Sequence, residues 1–403
     1  MIIGIIGGGA SGMMAALRAS QNINNQILLF ERQARLGRKL LATGNGRCNL
    51  TNQNTDFSHY HGEDPAFVHQ VFEQFDKDRT LSLFRSLGLY TVSEPSGRVY
   101  PYSDQANSVL DVLRFSLQKE NVDILTGAEV TRVKKTETGF CICVGQTQYF
   151  CDRLIVACGG LAGTKLGGTM SGYQILRSFG HKVTKLRPAL VQLKSSWSGC
   201  PSLKGVRANC RVRIYHNDRI HAESAGELQF TEYGLSGPVI FEVSRDVCIG
   251  NGWTCNLDFL PYLDSDTLLI ALSERKQSPL LAEDLLTGIL HNRLGRVLVA
   301  AVGIRSQTPV AHLTQTQLLD VCRIVKNFQL PLTETLGMDS AQVTAGGVLT
   351  ADFDAMTMES RLVPGLYACG EVLDIDGDCG GYNLQWAWSS GYIAGSCASE
   401  VAI

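Results

Sequence analysis

The sequence predicts an α/β fold whose main domain is built from both ends of the chain. Its first 31 residues indicate strand, helix and strand, because residues 1–6 and 26–30 are apolar runs and residues 10–20 are rich in helix formers. Short apolar runs return at residues 343–348 and 366–368, before a final helical segment. We therefore expect the two ends to form one α/β domain, with a parallel sheet and helices packed on it.

The middle of the chain has a different pattern. Segments after Pro188 alternate apolar and polar residues, which predicts an antiparallel β domain, and residues from 264 to about 328 have mostly helical spacing. At 403 residues the chain exceeds the size of a single hydrophobic core. We therefore expect a nucleotide-binding domain in two parts, residues 1–188 and 336–403, interrupted by a β domain at 189–263 and a helical domain at 264–335.

Composition excludes several classes of function. Hydrophobic residues make up 44% and charged residues 18% of the chain, as in a globular enzyme. The net charge is −2 and the basic residues are scattered, so we expect a small-molecule substrate and no nucleic-acid or membrane partner. The apolar start lacks a cationic region and a cleavage site, which predicts a cytoplasmic protein. The 13 cysteines include no paired Cys-x-x-Cys motifs, so we expect free thiols and no metal.

A glycine motif follows the first strand and opens the first helix. Gly7, Gly9 and Gly12 form G-x-G-x-x-G, with Ala10 and Ser11 between the last two glycines. The first glycine permits a tight turn, the second admits a pyrophosphate, and the third lets helix and strand pack closely. The helix N-terminus then offers N–H groups to the phosphates.

An acidic residue ends the second strand. Glu31 lies 19 residues after Gly12 and is followed by Arg32. A carboxylate at this place can accept hydrogen bonds from both ribose hydroxyls of an adenosine. A glycine-rich turn with a surface glutamate is the alternative, but strand, glycines, helix and acid occur in the order of a dinucleotide site.

The C-terminal motifs favour FAD over NAD. Gly370 and Glu371 follow a short strand, where an acid can hold a ribityl hydroxyl. A glycine-rich turn then leads to Asn383 and Leu384, whose backbone N–H groups at a helix start would face the pyrimidine edge of a flavin. NAD has no ribityl chain. The first domain is therefore predicted to be a Rossmann-type FAD-binding domain.

A polar, glycine-rich loop at residues 35–52 is the third element of this site. Arg38 and Lys39 can neutralise a pyrophosphate, while Gly44 and Asn49 can reach the isoalloxazine. A solvated basic turn is the alternative, and it would not require the asparagines. Gly159, after another predicted strand, is expected to approach the cofactor as well.

The chain resembles the BaiN-like flavoproteins, a family that includes aminoacetone oxidase and 3-dehydro-bile-acid Δ4,6-reductase. The resemblance covers essentially the whole chain, and it is most specific in the loop 37–52. Other matching motifs are at residues 97–101, 230–238, 343–347 and 380–385. Asn45 departs from the commonest form of the loop, where glycine is frequent.

The resemblance implies a glutathione-reductase-like FAD domain, a β-barrel-like insertion and a small helical domain. It also implies FAD contacts by eight residues, among them Val130 through its backbone beside the adenine. These residues are Ser11, Glu31, Arg38, Lys39, Val130, Glu371, Asn383 and Leu384.

Hydride transfer suits the predicted site better than thiol chemistry. Cys48 has no partner cysteine nearby, whereas a dithiol enzyme needs two thiols beside the flavin. Flavin N5 exchanges hydride, so the protein has to orient a substrate and supply a proton. Candidates for polarising a carbonyl or supplying that proton are Arg98, Tyr100, Tyr233 and Tyr382, all beside glycines and expected in loops rather than inside regular elements. His59 and His61 are interpreted as a solvated pair rather than as a base or a metal site.

Three functions remain open at this point. The first is reduction of a C=C bond conjugated to a ketone, as in 3-oxo-Δ4 or Δ4,6 bile acids, with NAD(P)H as a transient donor because there is no second G-x-G-x-x-G unit. The second is oxidation of a small amine such as aminoacetone with release of hydrogen peroxide. The third is a flavin-binding regulatory or RNA-associated module without turnover.

Overall fold

The computed structural model describes residues 1–245, 247 and 252–400. The expected segments 189–263 and 336–403 also contain residues 246, 248–251 and 401–403, which lie outside the described residues. The chain divides into two compact units. The first unit comprises Met1–Pro188 and Gln342–Ile403, and the second comprises Ala189–Ala341.

The helices and strands are numbered in chain order. The α-helices of the described residues are α1 (Ala10–Ala19), α2 (Arg38–Ala42), α3 (Ala66–Gln74), α4 (Lys77–Ser86), α5 (Ala106–Ser116), α6 (Ser171–Ser178), α7 (Pro238–Ser244), α8 (Ser265–Glu274), α9 (Asn292–Ala301), α10 (Gln315–Lys326) and α11 (Tyr382–Ser399). The strands are β1 (Ile2–Ile6), β2 (Gln26–Glu31), β3 (Thr51–Asn52), β4 (Tyr60–His61), β5 (Thr91–Ser93), β6 (Arg98–Pro101), β7 (Val122–Thr126), β8 (Val130–Lys135), β9 (Phe140–Val144), β10 (Thr147–Cys151), β11 (Arg153–Val156), β12 (Arg187–Ala189), β13 (Leu193–Ser195), β14 (Arg207–His216), β15 (Arg219–Phe230), β16 (Gly234–Ser236), β17 (Trp253–Asp258), β18 (Phe328–Thr335), β19 (Val343–Ala345), β20 (Leu366–Ala368) and β21 (Asp376–Gly377).

A five-stranded parallel sheet forms the centre of the first unit. Its strand order is β20-β11-β1-β2-β7, and every pair is parallel. Ile6 at the end of β1 pairs with Phe30 of β2 and with Val156 of β11, which in turn pairs with Ala368 of β20. The predicted α/β fold is confirmed, and the carboxyl ends of four strands meet at one edge of the sheet.

Helices from the two ends of the chain pack directly on each other. A β-carbon on Gly391 of α11 would overlap the carbonyl oxygen of Ser11 in α1, and one on Gly395 would overlap that of Ala15. The absent side chains let the two backbones approach closely. Trp386 and Trp388 of α11 are also buried in the core of this unit. This contact joins the N- and C-terminal parts of the domain.

The second unit contains a closed barrel. Its strands are in the order β13-β16-β15-β14-β17-β18, and β13 pairs with β18 to close it. Leu257 of the barrel and Leu268, Leu298 and Leu318 of the helices α8–α10 belong to one hydrophobic core. The strand β18 (Phe328–Thr335) lies in the range expected to be helical, yet it closes the barrel.

One local expectation about the first unit was wrong. Residues 35–52 were expected to be a loop, but they contain α2, a 3₁₀ turn at Thr43–Gly46 and β3. Farther along the chain, Asp76 caps α4 by accepting a hydrogen bond from Arg79 N at 2.9 Å, which separates α4 from α3. Across the part of the chain that the structure describes, no helix combines the length and apolar character needed to cross a bilayer.

Candidate cofactor site

The glycine motif lies at the carboxyl edge of the parallel sheet. Gly9 is the N-cap of α1, and Ala10 and Ser11 form its first turn. Gly7 has φ of 113°, and a β-carbon on Gly12 would overlap the carbonyl oxygen of Gly7. A β-carbon on Gly9 would have no heavy atom within 4 Å. The motif thus combines a tight turn, close packing of helix and strand, and open space at the helix start.

Glu31 is held rigidly at the end of β2. Its Oε2 accepts a hydrogen bond from Gly8 N at 2.8 Å, and its Oε1 accepts one from Gln33 N at 2.7 Å. Each carboxylate oxygen keeps a further lone pair for a hydroxyl donor. The acid is therefore fixed beside the glycine motif, as a ribose partner requires.

The cations of the loop and Arg32, which precedes it, have protein partners. Lys39 Nζ is 2.8 Å from Glu371 Oε2, and Thr344 N donates to Glu371 Oε1 at 2.9 Å. Arg38 donates to Gln33 Oε1 at 2.9 Å, and Arg32 donates to Gly168 O at 3.2 Å. The pair of Lys39 and Glu371 joins two motifs that are 332 residues apart in the chain.

The loop between α2 and β3 contains several left-handed residues. Gly44, Asn45, Gly46 and Cys48 have φ of 55°, 57°, 86° and 61°. Asparagine tolerates this conformation better than most residues, which explains how Asn45 occupies a position where glycine is frequent. Asn49 follows these residues, and its buried Oδ1 has no hydrogen-bond partner in the described part of the chain.

The glycine turn at residues 377–381, called the 377–381 turn below, leads into α11. The Asn383 side chain braces this turn, because its Oδ1 accepts from Gly377 N at 2.8 Å and its Nδ2 donates to Gly377 O at 2.7 Å. Intrahelical bonding of α11 begins with Gln385 N, which donates to Gly381 O at 3.0 Å. The N–H groups of Asn383 and Leu384 lie in the first turn, where a helix provides them no acceptor. A β-carbon on Gly381 would lie 2.9 Å from Asn49 Oδ1, so the loop and the helix start are neighbours.

Two predicted catalytic side chains lie beside the 377–381 turn. The expectation that the catalytic candidates lie in loops was wrong for three of them, because Arg98 and Tyr100 belong to β6 and Tyr382 is the first residue of α11. A β-carbon built on Gly380 would be 3.7 Å from Arg98 Nε, 3.3 Å from Tyr382 Cε2 and 3.3 Å from Asn52 Nδ2. Asn52 also donates to Gly380 O at 2.8 Å. Arg98 is half-buried, and within residues 1–245, 247 and 252–400 its guanidinium has no hydrogen-bond or ion-pair partner. This is a cation available to a ligand.

Tyr100 is packed beneath the loop. Its ring lies 3.9 Å from the guanidinium carbon of Arg47, and Arg47 pairs with Glu94 at 3.0 Å and with Asp104 at 2.5 Å. Burial raises the pKa of Tyr100, with a further contribution from Glu94. A buried phenol with a raised pKa is a weaker acid than an ordinary tyrosine, so Tyr100 is less able to donate a proton than an exposed tyrosine would be.

The remaining predicted residues lie in both units. Gly159 (φ 69°) follows β11 and has open space around it, and Gly370 (φ 77°) packs against Ser11. Val130 is the buried first residue of β8. Tyr233 lies in the second unit, where its carbonyl accepts a hydrogen bond from Ser195 N at 2.9 Å.

The thiols near the glycine motifs are not arranged for redox chemistry. Cys48 and Cys369 are buried, and burial raises the pKa of each to about 12. The same cause raises the pKa of Cys158 to about 12. These groups are protonated at neutral pH and do not provide a reactive thiolate.

Sequence reasoning missed one side-chain cluster at this site. Both His59 and His61 hydrogen-bond to Asp378 in the 377–381 turn, at 2.9 and 2.7 Å. The histidines are half-buried rather than simply solvated. A carboxylate 317 residues away gives no local sequence signal, so only the strand pairing of β4 with β21 reveals the contact.

The residues present fit FAD. Open space at Gly9 and Gly159 and the start of α1 suit a pyrophosphate, and the fixed Glu31 suits a ribose. The unpaired Asn49 Oδ1 needs a donor of the kind that an isoalloxazine N–H provides. The N–H groups at the start of α11 suit the pyrimidine edge.

This fold and this site define a Rossmann-type, FAD-dependent oxidoreductase. Comparison with known proteins agrees: residues 1–397 match the family model described as "HI0933-like protein Rossmann domain". The chain belongs to the HI0933-like family.

Two curated relatives cover nearly the whole chain. The chain is 43% identical over 405 residues to the 3-dehydro-bile acid delta(4,6)-reductase of Clostridium scindens, covering 99% of both proteins. It is 33% identical over 403 residues to the ribosomal RNA dihydrouridine synthase of Escherichia coli, covering 98% of this chain and 97% of that protein. The first comparison confirms the resemblance to the BaiN-like flavoproteins.

Solved structures are more distant. The 3-ketosteroid delta1-dehydrogenase of Sterolibacterium denitrificans, in complex with 1,4-androstadiene-3,17-dione, has a TM-score of 0.48 and 12% identity, with 99% of both chains covered. This level of similarity carries no argument about activity.

Proposed function

We propose that this protein reduces a C=C bond conjugated to a carbonyl group, with FAD as cofactor and NAD(P)H as a transient electron donor. The preferred substrate class is a 3-oxo-Δ4 or Δ4,6 steroid-like acid. The overall reaction consumes NAD(P)H and one proton, and it adds a hydride to the β carbon and a proton to the α carbon of the conjugated system. Bound FAD would supply the hydride donor at N5.

In this proposal the residues of the first unit have different roles. The glycine motif, Glu31 and the start of α1 hold the adenosine and pyrophosphate, as do Arg38 and Lys39. The 377–381 turn and the N–H groups of Asn383 and Leu384 orient the flavin. Arg98 lies beside that turn, and its guanidinium has no hydrogen-bond or ion-pair partner among the described residues; it polarises the substrate carbonyl.

One observation carries the choice of substrate class. The 43% identity to a bile-acid reductase extends over 99% of both proteins, so the cofactor-binding and substrate-binding parts are compared together. The proposal extends that relative's printed activity to this chain. It also agrees with Arg98, since a carbonyl conjugated to the alkene requires an electrophilic partner.

A second candidate substrate is uridine in RNA. The relative at 33% identity is named a ribosomal RNA dihydrouridine synthase, and the C5=C6 bond of uracil is likewise conjugated to a carbonyl. The same hydride and proton additions therefore apply. The net charge of −2 favours the small molecule, because RNA binding usually requires a basic surface.

Anaerobic stopped-flow spectroscopy of the FAD-loaded protein tests the proposal. NADH or NADPH is expected to bleach the visible flavin absorbance, and a 3-oxo-Δ4,6 bile acid is expected to restore it with formation of the saturated product. A ribosomal RNA transcript is offered in parallel, with dihydrouridine measured by mass spectrometry.

Other results of this experiment would each indicate a different function. Reoxidation by the RNA alone would transfer the proposal to uridine. Bleaching by aminoacetone, with hydrogen peroxide released in air, would replace the reductase with an amine oxidase. A flavin that no reductant bleaches would indicate a module without turnover.

A further inference from the structure

Two histidines share one carboxylate at the 377–381 turn. His59 Nδ1 lies 2.9 Å from Asp378 Oδ2, and His61 Nε2 lies 2.7 Å from Asp378 Oδ1. The backbones are joined as well, because Asp378 N donates to His59 O at 3.0 Å and β4 pairs with β21. Each oxygen of Asp378 thus has its own imidazole, and the proposed chemistry uses none of the three side chains.

This cluster contacts the turn that precedes α11 and the first residue of that helix. Asn383 Nδ2 is 3.3 Å from Asp378 O, and the His59 ring stacks on the ring of Tyr382, with centroids 4.5 Å apart and an interplanar angle of 22°. Tyr382 is the first residue of α11. The turn is therefore held on one side by Asn383 and on the other by His59 and His61.

Protonation changes the strength of this support. Burial acts to raise the pKa of Asp378, but hydrogen bonds from His61 and His59 outweigh it and lower the pKa, so Asp378 is ionised near neutral pH. A histidine ordinarily titrates near pH 6.5. An imidazolium makes a markedly stronger hydrogen bond to a carboxylate than a neutral imidazole does. The charge of the cluster rises from −1 to +1 as both histidines take up a proton.

Other polar groups surround the cluster. Asn54 Nδ2 lies 3.1 Å from His59 Nε2, which assigns the proton of the neutral ring to Nδ1. Asp376 lies opposite His61 in the β4–β21 pair. Among the described residues, Asp56 interacts electrostatically with His59, Tyr60 with Asp378, and Asp374 with Asp376 and Glu63. Tyr382 stacks on His59, and Arg98 lies beside Gly380 of the same turn. His69 interacts with Asp56. Within the described residues no group of His, Cys, Asp and Glu is arranged to hold a metal ion.

We propose that His59, His61 and Asp378 are positioning residues that make the retention of FAD depend on protonation. Protonated histidines tighten the 377–381 turn, which keeps the N–H groups of Asn383 and Leu384 in place for the pyrimidine edge. The same positive charge favours an anionic cofactor. FAD therefore binds more tightly at about pH 6 than at about pH 8. This inference rests on the cofactor site of the proposed function.

The test separates hydrogen bonding from titration. In His59→Asn combined with His61→Gln, each amide nitrogen takes the place of the imidazole nitrogen that faces Asp378, so the hydrogen bonds remain but the charge cannot change. The measurement is the dissociation constant of FAD from the full chain, by flavin fluorescence, from about pH 6 to about pH 8. The wild-type constant is expected to rise about three- to tenfold over this range. In the double variant the dissociation constant of FAD should not change with pH and should stay near the value that the wild type has at about pH 8.

A matched control uses a histidine outside the cluster. His69 forms an exposed i,i+4 pair with Glu73, and its ring is near Phe57. His69→Gln should keep the wild-type pH dependence. Asp378→Asn is expected to weaken FAD binding throughout the range and to reduce the pH dependence, because protonation of the histidines then no longer strengthens hydrogen bonds to a carboxylate.

Two results would distinguish this inference from the proposed function. An equal pH dependence in the wild type and the double variant would overturn the inference, even with reduction of the conjugated substrate intact. Absence of that reduction, with the predicted pH dependence of FAD retention observed, would overturn the proposed function and support the inference.

Discussion

At the scale of single residues, the cations of the first unit near the predicted site residues differ in their pairing. Lys39 is engaged by Glu371, and Arg47 is engaged by Glu94 and Asp104. The Arg98 guanidinium has no such partner in the described part of the chain, although it lies beside Gly380. An unpaired, half-buried guanidinium is costly to desolvate without a ligand. Its position therefore favours a role toward substrate rather than toward folding.

Arg98→Ala should lower reduction of the conjugated substrate about 100-fold, the usual effect of removing one donor to a developing oxyanion. Arg98→Lys should retain part of the activity, because it keeps the charge but changes the geometry. Single-turnover reoxidation of the reduced flavin measures this effect separately from flavin reduction. Arg85→Ala is the control, since Arg85 lies over Tyr90 at 5.6 Å and is away from the turn. Equal activities of Arg98→Ala and Arg85→Ala would exclude the assigned role.

Asp374 provides a stability prediction with a defined pH dependence. It is buried, and burial raises its pKa, assisted by Glu63 and Asp376. Because the folded-state pKa is raised, the stability that protonated Asp374 contributes is present below the pKa of the unfolded chain and is lost as the pH rises through the folded-state value. Asp374→Asn should therefore raise Tm at neutral pH and have little effect near pH 4.

Thermal unfolding of Asp374→Asn at the two pH values tests this expectation. The control is Asp64→Asn: Asp64 is exposed and follows Glu63 in the chain, so this variant should change Tm little at either pH. If Asp374→Asn has a lower Tm than the wild type at neutral pH, the expectation is wrong. That result would mean that the ionised carboxylate is needed to accept the hydrogen bond from Glu63 N at 3.1 Å.

Sequence reasoning at this scale predicted the positions of residues that carry a local signal. The structure places Glu31 at the end of a strand after the glycines and Asn383 in the first turn of a helix after a glycine turn, as predicted, while their roles stay predictions. Asp378 was missed because its partners lie far away in the chain, His61 in the short strand β4 and His59 just before it. Pairing of Lys39 with Glu371 was missed for the same reason. Long-range side-chain pairs depend on the fold and have no periodic signal.

At the scale of elements, the start of α11 is fixed by a glycine that cannot be replaced easily. Gly381 is the N-cap of α11 with φ of 102°, and a β-carbon there would overlap the carbonyl oxygen of Thr51 and lie 2.9 Å from Asn49 Oδ1. The close approach of β3 to the helix therefore needs both the positive φ and the missing side chain.

Gly381→Ala should raise the dissociation constant of FAD at least tenfold, because either the helix start or the loop with Asn49 has to shift. Titration of the protein with FAD measures the change. Gly88→Ala is a matched control: Gly88 has φ of 90°, but a β-carbon there would meet nothing within 4 Å. That variant should incur only the conformational cost of about 1–2 kcal/mol and keep its FAD affinity. Similar affinities of the two variants would show that the close approach is not required.

Elements with regular apolar spacing were predicted well, and those set by tertiary contacts were not. The strands β2 and β20 lie where the apolar runs 26–30 and 366–368 predict them. Helix α2 was missed because it has only five residues and is surrounded by glycines, so its apolar period is too short to detect. The strand β18 was missed because its alternation follows directly after the helical pattern of α10.

At the scale of the whole molecule, both chain ends contribute residues to the candidate cofactor site of the first unit. The sequence indicated this because glycine motifs follow strands at both ends, and parallel strands bring their carboxyl ends together. The grouping of the helices α8–α10 with the barrel into a single unit could not be predicted, since it depends on the shared core of Leu257, Leu268 and Leu318.

The two-ended site gives a test at this scale. Hydrogen exchange with and without FAD should show protection in three segments that are far apart in the chain: residues 7–12, 43–49 and 380–384. At an FAD concentration of about 100 times its dissociation constant, exchange that requires opening of the site should slow by up to about 100-fold. The turn at residues 21–25 precedes β2 and lies at the opposite, amino end of the parallel sheet, so its exchange serves as the internal control. Protection of residues 7–12 without that of 380–384 would mean that the ADP half binds as proposed while the C-terminal turn does not hold the flavin, and a site built from both chain ends would then be wrong.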